Sequence, residues 1–248
     1  MPDNRNTKEI LKGTSQPLLN GLDYSLRRYF VDEFYFWHVP CLTIGSLVLD
    51  LGGNKIRKRG RFNIGRYGLR VIYANLSTAK LPDVQADVSS IPFRNSCFDA
   101  VICSELLEHV PYPLLVLREA HRVLRDGGTL LVCVPFLYQI HGDPYDYGRY
   151  TDFYWREILG EAGFEITTLE KQGQFWSVLV DMVRAYVCEG ISGNNLVKRL
   201  MRNAIMPGLI ALGKRLAVTW DVRAQKSQNS FFSSFTTGFG IVATKQKR

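Results

Sequence analysis

Paired cysteines are missing from this sequence. Cys41, Cys97, Cys103, Cys133 and Cys188 are scattered, and no C-x-x-C pair occurs. The pattern excludes a disulfide-stapled scaffold, argues against a zinc site, and fits reduced, structural thiols in the cytosol. No metal is expected. Long apolar runs are missing too: none approaches the roughly 18 residues that a membrane-spanning helix needs. No cationic start leads into an apolar stretch, so an export signal is not expected. The C-terminal third is short of acid. After Lys171 eleven basic residues face only Asp181, Glu189 and Asp221, and this surplus equals the whole net charge of +8. The imbalance points to an anionic partner for that third, either phosphate-bearing or a membrane surface.

What is present begins with SLVLDLGGNK at 46–55. With 248 residues and 46% hydrophobic content the chain can bury a real core. Leu47, Val48, Leu49 and Leu51 bracket Asp50, and Gly52-Gly53 follow. A short apolar run stopped by glycines reads as a buried parallel strand ending in a tight turn. Adjacent glycines let the backbone approach a ligand closely. Asp50 then stands at the carboxyl end of the strand, where an open α/β sheet places its ligand crevice. A simple turn fits this stretch equally well when it is taken alone. Further strands are predicted at 69–76, 84–88, 98–104, 129–135 and 164–170, with helices at 113–124 and 151–162. This alternation predicts a doubly wound, mostly parallel sheet with right-handed crossovers and helices on both faces.

Other stretches are less specific. Leu22, Leu26, Tyr29, Phe30, Phe34 and Trp37 recur at helical spacing over 18–39 and read as an amphipathic helical segment packing on the core. The cluster Lys55, Arg57, Lys58, Arg59 and Arg61 reads as a solvated loop or as a clamp for an anionic substrate group. Where a nucleotide-binding unit carries a ribose-binding acid, this sequence has Asn75 and Ser77. Either can hydrogen-bond a hydroxyl, without charge assistance. The first turn lacks G-x-G-x-x-G, which disfavours a nicotinamide dehydrogenase.

Six segments in order carry a resemblance: VLDLGG (48–53), ADVSSIPF (86–93), FDAVICSELLEHV (98–110), REAHRVLRDGGTLLVCVPF (118–136), HGDPYDYGRYT (141–151) and EAGFEI (161–166). Together they resemble the class I S-adenosylmethionine (SAM)-dependent methyltransferases, and HGDPYDYGRYT is similar to a branch associated with bacterial surface-saccharide genes. The resemblance implies a Rossmann-like, seven-stranded sheet whose last, antiparallel strand is 239–244. It implies SAM as cofactor, with Asp50, Gly52 and Gly53 beneath its methionine part. Asp87 and Val88 would flank adenine, Cys103, Ser104 and Glu105 would line the methionyl side, and Asn75 would stand at the ribose. Two features depart from the family pattern. Asn54-Lys55 replaces the third glycine, and the ribose-binding acid is absent.

HGDPYDYGRYT follows the fifth strand and reads as the acceptor site. His141 is the expected base, because its unperturbed pKa lies near 6.5, and Asp143 would orient it or substitute for it. Asp146, Tyr147, Arg149 and Tyr150 are expected to bind substrate, Arg149 by holding an acidic sugar, carboxylate or phosphate. The competing reading is a structured loop in which Asp146 pairs with Arg149. His109 either faces the cofactor cleft or caps its segment. Four regions are expected: an N-terminal helical segment (1–41), a SAM-binding core (42–171), a basic helical insertion (172–234), and the last strand with its tail (235–248). In the insertion, 175–187 is apolar. An apolar stripe at 196–220, flanked by Lys198, Arg199, Arg202, Lys214 and Arg215, reads as a membrane contact, a substrate lid or a homodimer contact, with Pro207-Gly208 breaking or kinking it. The reading is therefore a cytoplasmic enzyme, with a peripheral place at the inner face of the membrane if 196–220 is a membrane contact. It would methylate a saccharide, a lipid-linked glycan or another small-molecule acceptor on oxygen. A non-catalytic scaffold of the same fold, or an RNA methyltransferase using the basic third, are the alternatives. Nucleic acid is disfavoured, because the basic residues alternate with aliphatics rather than with stacking aromatics.

Overall fold

The computed structural model describes residues 21–56, 60–190, 204–227 and 230–246. The chain divides into two compact units, one of Val31–Gln172 with Gly238–Arg248, the other of Met1–Phe30 with Gly173–Thr237. The first holds a seven-stranded sheet: β1 (Leu47–Leu51), β2 (Arg70–Asn75), β3 (Val84–Gln85), β4 (Phe98–Ser104), β5 (Leu124–Pro135), β6 (Phe164–Lys171) and β7 (Gly238–Lys245). Their spatial order is β3-β2-β1-β4-β5-β7-β6, with β7 antiparallel to both neighbours. This is the Rossmann-like methyltransferase fold that the sequence predicts. The third strand is shorter than the predicted 84–88, because the chain turns at Asp87. The fifth begins earlier, at Leu124, with a shift in its pairing to β4 between Phe98 and Ala100 that absorbs Asp126-Gly127-Gly128.

The near-continuous apolar strands follow from burial on both faces. Successive residues point to opposite sides of the sheet. Leu49, Leu51, Val101, Cys103, Leu130 and Val132 enter one core with helix α2 (Pro113–Val123) and helix α3 (Asp152–Glu161). Val48, Ala100, Ile102, Leu131 and Cys133 enter another with Val31, Phe34 and Tyr35 of helix α1 (Leu26–His38). Each such buried aliphatic contributes about 1.5–3 kcal/mol.

The second unit is built around helix α4 (Phe175–Ala185) and helix α5 (Met206–Lys226), with a short helix α6 (Ser230–Ser233). Two buried carboxylates serve helix N-termini there, whose backbone amides need acceptors. Asp181 accepts from Leu26 N and Arg27 N at 2.7 Å each. Asp221 accepts from Gln174 N at 2.8 Å, Trp176 N at 3.0 Å and Ser177 N at 3.1 Å. Pro207 sits in the first turn of α5, where its missing N–H costs nothing. One expectation is corrected. Lys214, counted among the flanking cations, is fully buried and donates to Gly21 O at 2.6 Å and Tyr24 O at 2.5 Å. Burial pulls its pKa down to about 8. Residues 196–203 of the predicted stripe lie outside the described residues.

Glu33 on α1 carries a pH dependence. Burial pushes its carboxyl up to about 7, and Asp32 and Glu170 add repulsion. A raised carboxyl stabilises fully below the unfolded value and loses that contribution as pH rises through the folded one. Glu33→Gln should therefore change stability little near pH 4.5 and add about 1–3 kcal/mol near pH 8.5. Thermal melts at both pH values check this; an equal effect at the two would refute it.

Candidate active site

Strands β1 and β4 pair in parallel, with Asp50 opposite Ile102 and Leu51 opposite Cys103. Their carboxyl ends therefore open side by side, at the point where the strand order reverses. Gly52 holds φ +73°, and a Cβ there would stand 2.7 Å from Leu106 Cδ1. A Cβ on Gly53 would stand 2.2 Å from Asp50 Cγ. The turn thus needs both glycines, one for its backbone angle and one because the Asp50 carboxylate lies over it. Asn75 Nδ2 donates to Gly52 O at 2.8 Å and Gly53 O at 3.1 Å, and Ser77 N donates to Asn75 Oδ1 at 2.9 Å. The side chain expected at a ribose is committed to holding the glycine turn. Asp87 is exposed, and Ser89 N and Oγ both donate to its Oδ1, which holds its pKa below the usual range. Val88 beside it is buried.

At the end of β4 the three expected residues separate. Cys103 packs in the core, and burial pushes its thiol pKa well up, so its side chain does not line the edge. Ser104, one residue on, points to the opposite face. Glu105 sits at φ +51°, a left-handed conformation costly for a residue with a Cβ. Its N–H donates to Cys133 O at 2.8 Å. Tyr35 was not expected here. Its phenol is buried close to Cys133, Ser104 and Asp50, and burial raises its pKa.

The loop after β5 is internally tied. Arg149 grips the Asp146 carboxylate with both Nη atoms, at 2.5 and 2.7 Å, and also donates to Gly148 O at 2.9 Å and Gln139 O at 3.1 Å. Asp146 accepts from His141 N at 2.8 Å. The Arg149 guanidinium holds the Asp146 pKa down at about 2. The structured-loop reading of this pair is therefore what the fold contains, and both side chains are engaged within the loop. Tyr150 stacks on Tyr154 with ring centres 4.1 Å apart, as part of the core edge. Tyr147 is exposed, and its N–H donates to Glu108 O at 2.8 Å, tying the loop to the turn after β4. Asp143 is exposed and takes no part in holding His141. Asp146 has that place.

Glu108, which sequence reasoning passed over, completes the site. Its carboxylate Oε1 lies 3.7 Å from His109 Nε2 and 3.9 Å from His141 Nε2. His109 Nδ1 lies 2.6 Å from Tyr145 O, a carbonyl to which it can only donate, and its Nε2 faces Glu108. His141 Nδ1 lies 3.3 Å from Gln139 O and 3.5 Å from Asp146 Oδ2. Arg149 Nη2 is also 3.3 Å away, but both its hydrogens go to Gln139 O and Asp146 Oδ2. His141 therefore also presents Nε2 toward Glu108, and burial holds its pKa below the usual value. A Cβ on Gly142 would meet His109 Cε1 at 2.9 Å, so the glycine makes room for the ring. The available signal was the Glu-His step in SELLEHV at the end of the most apolar strand.

Residues 61–132 match a protein family described as a methyltransferase domain. The chain is 34% identical over 95 residues to the ubiquinone/menaquinone biosynthesis C-methyltransferase UbiE of Rhizobium meliloti (strain 1021), covering 38% of this chain and 31% of that protein. It is 46% identical over 95 residues to demethylmenaquinone methyltransferase of Mycobacterium bovis (strain BCG / Pasteur 1173P2), covering 36% and 41%. The chain thus spans less than half the length of these curated relatives. Among solved structures it is similar to the 1,6-didemethyltoxoflavin-N1-methyltransferase of Burkholderia thailandensis with bound S-adenosylhomocysteine. The TM-score is 0.51 at 16% identity, over 91% of this chain and 80% of that one. That likeness shows a shared fold.

The Asp146–Arg149 pair makes a stability prediction. Arg149→Met leaves the carboxylate, only 3% exposed, without its cation and should cost about 2–4 kcal/mol. Adding Asp146→Asn should recover part of the loss. An unchanged unfolding midpoint in the single variant would show that the pair does not hold the loop.

Proposed function

We propose that this chain is a SAM-dependent methyltransferase that methylates an oxygen of a saccharide, a lipid-linked glycan or a related small molecule. The observation that carries the reading is the junction of two features at one sheet edge: the Asp50-roofed Gly52-Gly53 turn and the Glu108–His109–His141 group. The residues fit the cofactor. The Asp50 carboxylate suits an ammonium, the turn offers Cβ-free backbone, and ionised Asp87 suits an amino group. The ribose would be held without an acid, since Asn75 is occupied at the turn. When bound, SAM supplies an electrophilic methyl on a sulfonium whose departure leaves a neutral thioether.

The residues of this chain would then orient and dehydrate the acceptor, which can supply about 7–11 kcal/mol of the barrier. The proton of a hydroxyl acceptor would be handled at the His141 side, where neutral imidazole and buried carboxylate stand together. Two measurements test this. SAM should bind in calorimetry, and Gly53→Ala, whose Cβ displaces Asp50, should abolish binding. With labelled SAM and cell-envelope extracts, His141→Ala should lower methyl transfer about 10²–10⁴-fold while leaving SAM affinity intact. Absence of SAM binding would leave the scaffold alternative standing.

We also propose that the helical unit touches an anionic membrane surface. Leu209, Leu212, Leu216 and Trp220 form one exposed stripe along α5, continued by Ile205 just before it, and Leu179, Met182 and Val183 another along α4, continued by Tyr186 just after it. No helix among the described residues is long and apolar enough to cross a membrane. Apolar stripes beside cations suit a surface-lying helix, and a lipid-linked acceptor would give that contact a purpose. Flotation with anionic vesicles should be lost in Leu209→Glu/Leu212→Glu. Flotation unchanged by this pair of substitutions, or absent from the wild type, would end the membrane reading.

A further inference from the structure

Among the described residues, one group of three metal-ligating side chains stands together: Glu108, His109 and His141, with ligand atoms all within 4.8 Å of one another. No thiolate takes part, so the scattered cysteines give no sign of it. The two imidazoles come from different loops, after β4 and after β5. They meet edge to face with ring centres 4.8 Å apart. Both present Nε2 to the same carboxylate oxygen, at 3.7 and 3.9 Å. Around a tetrahedral centre with bonds near 2.1 Å, ligand atoms stand about 3.4 Å apart. The observed carboxylate–imidazole separations exceed that by only a few tenths of an ångström.

The surroundings are those of a ligand set. Imidazoles that bind metal commonly donate their other ring N–H to a carbonyl or carboxylate, which fixes the tautomer and strengthens the donor nitrogen. His109 Nδ1 has Tyr145 O at 2.6 Å. His141 Nδ1 has Gln139 O at 3.3 Å and Asp146 Oδ2 at 3.5 Å. Asp146 is in turn gripped by Arg149. The loop that expends an Arg–Asp pair on itself thereby aims one nitrogen at Glu108.

We infer that Glu108, His109 and His141 form a binding site for one divalent first-row transition-metal ion. Two imidazoles and a carboxylate suit zinc, iron(II), cobalt or manganese rather than magnesium or calcium, which prefer all-oxygen sets. Three protein ligands leave further coordination positions for water or a substrate oxygen. The site does not rest on the methyltransferase reading. If both hold, His141 acts on the acceptor through the ion.

The test reads metal binding alone. Full-length protein stripped with EDTA is titrated with Mn²⁺, followed by electron paramagnetic resonance of the free ion, and with Zn²⁺ against a chromophoric chelator. One equivalent should bind. Glu108→Gln, His109→Ala and His141→Ala should each weaken it at least about tenfold, whereas His38→Gln, which removes an imidazole elsewhere, should not. Wild-type protein gives a check independent of variant folding: Zn²⁺ should protect His109 and His141 from carbethoxylation. No saturable equivalent, unchanged binding in the three variants, or no protection of these two rings would overturn the inference. Binding of the ion without binding of SAM would uphold the site and remove the functional reading instead.

Discussion

The site rests on one register. Strands β1 and β4 lie side by side in parallel, Leu51 level with Cys103, so both chains leave the sheet at the same height. Everything chemical follows from that shared exit. The β1 chain must reverse at Gly52-Gly53, and the β4 chain must turn through the left-handed Glu105 into the 3-10 turn Leu107–His109. A slip of one residue along β1 would exchange the two cores, since Val48 and Leu49 face opposite sides. Strand burial on both faces makes that slip prohibitive. Ordinary hydrophobic packing, rather than any local device, fixes where the polar groups stand.

The second constraint is electrostatic and local. The loop between β5 and α3 has no strand or helix of its own, yet it holds His141 in place. It does so by burying a carboxylate under a guanidinium. Asp146 takes His141 N–H and both Arg149 nitrogens, and Tyr147 N anchors the segment to Glu108 O. Asp146 and Arg149 thus brace the loop from within. Their cost in desolvation is offset by the mutual pairing.

Much of this was legible in the residues. The strands follow from short apolar runs stopped by glycine, and β4 was placed to the residue. The two faces of the sheet were implicit in alternation, and the glycine turn in Gly52-Gly53. The loop after β5 was found by its density of titratable groups, but the partner choice within it was not. Sequence spacing cannot tell Asp143 from Asp146 as the neighbour of His141, because that depends on how the chain turns at Gly142. Glu108 was missed because its partner His141 lies 33 positions away, in a loop whose path only the fold determines. Lys214 misled for a related reason. On a helical wheel it flanks an apolar stripe, but the carbonyls of Gly21 and Tyr24 draw it inward.

The absence of an acid at the end of β2 has a physical account in Asn75. The carbonyls of Gly52 and Gly53 both point at the end of β2, and carbonyls there need donors. An amide supplies two hydrogens from one nitrogen, and both are used. An ionised acid at this position has no hydrogen to give, and would set a negative charge against two carbonyl oxygens. The residue that fastens the turn therefore cannot be the acid that binds a ribose. The absence of an acid at the end of β2 thus goes with a turn that is fixed by hydrogen bonds from that strand.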